Sequence, residues 1–75
     1  MELDGIIDNW PVSVFGESYP GQGYDLHVTP YTGDDDESAP DDVYKICHSL
    51  SVGLYKTKRD AMLALSNAGF TLDPT

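Results

Sequence analysis

Apolar and polar residues alternate in three stretches of this chain and recur at helical spacing in a fourth. Met1 to Asn9 mixes Ile6 and Ile7 with Asp4 and Asp8. It leads through Trp10-Pro11 into Val12 and Val14 set against Ser13 and Phe15, and the period of two predicts a first strand. Pro11, which has no amide donor, suits the start of that strand or a sheet edge. Gly16 to Gly23 (GESYPGQG) is turn chemistry. Pro20-Gly21 sets a fixed φ before a residue that tolerates positive φ, the type II pattern, and a long hairpin loop is expected. Tyr24, Leu26 and Val28 alternate with Asp25, His27 and Thr29, which predicts a half-buried second strand ended by Pro30.

Residues 32–42 (TGDDDESAPDD) hold no large apolar group and read as an acidic, flexible loop. Beyond it, Tyr44, Ile46, His48, Leu50 and Val52 alternate with Lys45, Cys47, Ser49 and Ser51, the pattern of a third strand. Gly53 turns or bulges that strand, and Leu54-Tyr55 extends the sheet or starts a short extra strand. Thr57 to Gly69 carries helix signals in order: Thr57 as N-cap, Asp60 in the first turn and Gly69 at the stop. Ala61, Ala64, Leu65 and Ala68 fall on one stripe, with Met62 beside it and Leu63 across. Phe70 and Leu72 then suit a short last strand. The expectation is one domain over residues 1–75 of α+β class. It has a three- or four-stranded antiparallel sheet with one C-terminal helix packed on one face, in the order β-β-β-α.

Composition adds limits. Leu, Ile, Val and Phe number 17 of 75, enough for a modest core but not for a deep cleft in so short a chain. One cysteine, Cys47, forms no internal disulfide, and with two histidines it falls short of a four-ligand zinc site. No signal-peptide pattern or membrane-length apolar run occurs, so the expected setting is cytoplasmic, without a membrane, cofactor or metal.

Charge changes the picture more. The formal net charge is -9, and residues 1–42 hold 11 acids with no Lys or Arg, while residues 43–75 hold all four cations against two acids. Direct nucleic-acid binding through phosphates is excluded, because it needs clustered Lys and Arg. The complementary case fits: attraction to a basic protein surface, most often that of a nucleic-acid-binding protein or complex.

On a strand, Cys47 and His48 point to opposite faces, so no thiol-imidazole pair forms. His48 is expected partly buried beside Ile46 and Leu50, and His27 solvent-facing. No catalytic residues are assigned and the chain is read as a non-enzyme. The acidic run does not match a calcium hand, since counting from Asp34 places Ala39 at the sixth position and Lys45 at the twelfth. The assigned partner-binding residues are therefore Asp34, Asp35, Asp36, Glu37, Asp41 and Asp42 of the loop, with Glu17 and Asp25, and Tyr19 and Tyr31 as aromatic anchors. As a mimic of a phosphate backbone the loop alone is too sparse. Its six acids average one per about 5 Å, against one charge per 3.4 Å of a nucleic-acid strand. A duplex-like surface would need Glu2, Asp4, Asp8, Glu17 or Asp25 on the same side.

Short length, strong acidity, one sheet with one helix and the strand-helix ending GLYKTKRDAMLALSNAGF (residues 53–70) resemble the small inhibitors encoded by bacteriophages, anti-CRISPR proteins among them. The resemblance implies a bacterial host cell as the setting. It implies as target a guide-RNA surveillance complex or its nuclease, whose Lys- and Arg-lined channels would be occupied by the acidic residues. The alternative is an acidic antitoxin or adaptor that neutralises a basic ribonuclease or pairs through its sheet edge, as a homodimer or with a partner.

Overall fold

The computed structural model describes residues 1–32 and 38–73. Among these, the chain runs β1 (Glu2–Ile7), β2 (Trp10–Tyr19), β3 (Gly23–Pro30), α1 (Asp41–Val52), α2 (Lys58–Asn67) and β4 (Thr71–Leu72). The strands form one antiparallel sheet in the order β3-β2-β1-β4. The class is α+β with an antiparallel sheet, as the alternation implies. The element order departs from expectation at the N-terminal end and over residues 41–52.

At the N-terminal end, one expected strand is two. Asp8 and Asn9 adopt φ of 51° and 65°, and Ile7 pairs with Trp10 across them. Two residues at positive φ between paired strands make a type I′ turn, whose twist matches that of the flanking strands. The second hairpin is tighter than expected. Tyr19 pairs with Gly23, and Gln22 N–H donates to the Tyr19 carbonyl at 2.9 Å, so Pro20 and Gly21 (φ 80°) occupy the central positions of the type II turn that their order predicts.

The larger correction is residues 41–52, which are helical and not a third strand. Val43, Cys47 and Leu50, spaced i, i+4, i+7, are buried, whereas Tyr44 and His48 are exposed. His48 therefore stands in solvent, contrary to the parity reading. Two local features favour helix: Asp41 and Asp42 sit in the first turn, where the helix dipole favours acids, and the Pro40 carbonyl accepts from the N–H groups of Val43 and Tyr44 at 3.0 and 3.1 Å. The alternation that suggested a strand also contains a helical stripe, and burial of that stripe against the sheet decides between them.

The second helix forms as its caps predict. Thr57 Oγ1 accepts from Asp60 N–H at 3.2 Å. At the other end Gly69 N–H donates to the Ser66 carbonyl and Phe70 N–H to the Leu65 carbonyl, with Gly69 at φ 89°. This paired closure requires a left-handed residue at that position, which glycine adopts without a Cβ penalty. Ala61 and Leu65 are buried, Met62, Ala64 and Ala68 pack at the margin, and Leu63 is exposed, matching the stripe.

One face of the sheet carries the core. Ile7, Val12, Val14, Tyr24, Leu26 and Val28 meet Val43, Cys47 and Leu50 of α1 and Ala61 and Leu65 of α2 in a single cluster. Burying each large aliphatic side chain here contributes roughly 1.5–3 kcal/mol. Gly5 admits Phe70 and β4, because a Cβ there would collide with the Phe70 ring and the Thr71 carbonyl.

The outer edge of β3 is occupied. Ser51 Oγ accepts from Val28 N–H at 2.9 Å and lies 2.8 Å from the Cys47 carbonyl, to which it donates. Tyr24 N–H donates to the Tyr55 carbonyl at 2.8 Å, which adds an antiparallel bridge, and Tyr55 Oη–H donates to the Leu50 carbonyl at 2.9 Å. The segment expected to extend the sheet thus contributes one bridge along this edge. Among the described residues no helix is long and apolar enough to cross a membrane.

Candidate functional site

Strand parity sorts the sheet into two chemistries. With Val12, Val14, Leu26 and Val28 turned to the helices, the intervening residues of β2 and β3 face outward: Ser13, Phe15, Glu17, Tyr19, Asp25, His27 and Thr29. On β1 the same side takes Glu2, Asp4 and Ile6. The register then builds rows across the strands. Asp4 lies beside Ser13 and Thr29, Glu2 beside Phe15 and His27, and Glu17 directly opposite Asp25.

Four acids, Glu2, Asp4, Glu17 and Asp25, therefore share one face. Among the described residues no Lys or Arg joins them; Lys45, Lys58 and Arg59 lie on the helices and Lys56 on the segment between them. Aromatic rings stand among the carboxylates, with Phe15 46% exposed, Tyr19 42% and Tyr31 46%.

Short polar contacts hold these groups in place. Tyr31 Oη–H donates to Asp4 Oδ1 at 2.6 Å, while its carbonyl accepts from Trp10 Nε1–H at 2.8 Å, so a residue expected in a loop is fastened across three strands. Tyr19 Oη–H donates to Glu17 Oε2 at 2.9 Å. His27 Nε2 lies 3.2 Å from Asp25 Oδ2, and its ring meets Phe15 with centroids 6.3 Å apart. Both phenols are pushed above the ordinary tyrosine range. For Tyr19 the main cause is its hydrogen bond to Glu17, reinforced by the Glu17 charge; for Tyr31 it is the hydrogen bond to Asp4. Each carboxylate favours the protonated, donating form of its phenol.

The expected site residues divide. Glu17, Asp25 and Tyr19 come together at one end of the open face, and Tyr31 stands at the other end beside Asp4. Asp41 and Asp42 do not join them: they begin α1, and Asp42 lines a hollow with Asp8, Lys45, Ile46, Ala68 and Gly69 in the helical layer. Asp8 accordingly belongs to that end too. Asp34, Asp35, Asp36 and Glu37 lie outside the described residues. Phe15 was not singled out from the sequence, and Glu2 and Asp4 entered only as a condition. The alternation Glu2, Asp4, Ile6 against Leu3, Gly5, Ile7, closed by Asp8-Asn9, is the signal that places the two acids beside β2.

Elsewhere, a groove between the β2-β3 turn and the α1-α2 connection is lined by Tyr19, Pro20, Gln22, Leu54, Tyr55 and Lys56. Cys47 is buried in the core, and burial pushes its thiol up. Among the described residues no three His, Cys, Asp or Glu side chains gather as metal ligands. No family model matches the chain, and neither a curated protein nor a solved structure matches it.

Proposed function

We propose that this protein is a binding protein that docks its acidic sheet face onto a basic surface of a nucleic-acid-binding protein or complex and keeps nucleic acid off it. An anti-CRISPR-like inhibitor of a guide-RNA effector, acting in a bacterial cell, is the specific form of this reading. One observation carries it: Glu2, Asp4, Glu17 and Asp25 share an open face with no Lys or Arg among the described residues. Asp4, Glu2 and the Glu17–Asp25 pair occupy successive rows about 7 Å apart along the strands and are spread over three strands about 4.8 Å apart, which makes a two-dimensional patch of negative charge.

The alternative of pairing through the sheet edge has less support. The β3 edge is engaged by Ser51 and Tyr55, and β4, at the other edge, is two residues long. The test is competition. Added to purified guide-RNA effector complexes with labelled target DNA, the chain is expected to lower DNA binding, with potency falling as salt rises from about 50 to 200 mM. The variant Glu2→Gln/Asp4→Asn/Glu17→Gln/Asp25→Asn is expected to lose about 10-fold or more in potency. DNA binding untouched by the native chain, or full potency in the variant, overturns the proposal.

A further inference from the structure

The end of the open face formed by Phe15, Glu17, Tyr19, Asp25 and His27 has a chemistry narrower than general acidity. Glu17 and Asp25 are direct cross-strand partners, and like charges so placed destabilise a sheet. Phe15 and Tyr19 precede and follow Glu17 by two residues on the same side of β2, so rings flank Glu17 at about 7 Å along its strand, with Asp25 beside it on β3. Both rings are half exposed, and Tyr19 is oriented by its bond to Glu17 and Phe15 by its contact with His27.

We propose that this patch docks arginine side chains of the partner in preference to lysine. The inference rests on the reading of the face as a dock for a basic protein and narrows the chemistry of that partner. A guanidinium is planar, weakly hydrated and forked. It can lie on an aromatic face while donating to carboxylates at its edge, which a compact, strongly hydrated ammonium does poorly. Adjacent carboxylates between two rings present both halves of that recognition, and the charge of an incoming guanidinium offsets the repulsion that the register builds in.

The test is titration of the whole chain with nona-arginine and nona-lysine peptides at low salt, followed by backbone amide shifts. Expected are shifts over residues 15–19 and 25–27, with nona-arginine binding about 5-fold more tightly or better. The variant Phe15→Ala/Tyr19→Ala, altered at two solvent-facing positions and checked for fold by its amide spectrum, is expected to bind both peptides with a ratio near 1. Equal affinity of the native face for both peptides, or an arginine preference surviving in the variant, overturns the arginine inference and leaves the docking reading standing. Shifts confined to other regions, or none with either peptide, overturn both.

Discussion

Tyr31 lies beyond the end of β3 yet reaches back over the sheet to Asp4, and that bond is the main cause that raises its titration. With the phenol favoured in its protonated form when folded, the stabilisation it brings is complete below the unfolded value of about 10 and is lost as pH rises through the higher folded value. NMR titration of the ring should therefore give a Tyr31 midpoint above that of an unstructured tyrosine, and Asp4→Asn should bring it down. Cys47 behaves oppositely to a reactive thiol, because burial disfavours the thiolate that would attack. In the native protein an aromatic disulfide reagent is expected to modify it at least about 100-fold more slowly than in urea, where the thiol is released. Comparable rates would mean that the helix carrying it opens readily.

The Glu17 and Asp25 pairing belongs to the scale of the element, since neither strand alone creates it. Replacing Glu17 by Gln removes the like-charge opposition, and the sheet should gain a few tenths of a kcal/mol in urea unfolding. The same change is expected to weaken partner binding, so stability and affinity should move in opposite directions. Elements differed in how plainly the sequence announced them. The Thr57 to Gly69 helix was legible because both caps and the apolar stripe depend on local chemistry. Residues 41–52 were not, because Val43, Ile46 and Val52 favour extended backbone locally and the buried stripe of Val43, Cys47 and Leu50 is decisive only once a sheet lies beneath it. Asp8-Asn9 went unread as a turn since neither residue is glycine, although both tolerate positive φ.

At the scale of the molecule, the open sheet face is acidic with no Lys or Arg among the described residues, whereas the helical layer mixes signs, its cations accompanied by Asp41, Asp42 and Asp60. The sheet presents carboxylates outward, and the helical layer with its connecting segment carries the four cations. On the proposed docking, this acidic face would steer a basic partner before contact, and the competition experiment should then be strongly salt-dependent. The candidate site was half legible. Glu17, Asp25 and Tyr19 meet at one end of the open face and Tyr31 stands at the other beside Asp4, whereas Asp41 and Asp42, grouped with the acidic run from Asp34, begin a helix in the other layer.

By itself the sequence determined the excess of acids in residues 1–42, the Pro20-Gly21 turn, the alternating strands and the second helix, because composition and short-range sterics act on neighbours along the chain. Tertiary structure decided that residues 41–52 coil, that the first expected strand folds on itself, and that Glu2 and Asp4 stand beside Glu17 and Asp25. Those outcomes depend on which stripe is buried and on cross-strand register, relations between residues far apart in the chain that local patterning does not contain.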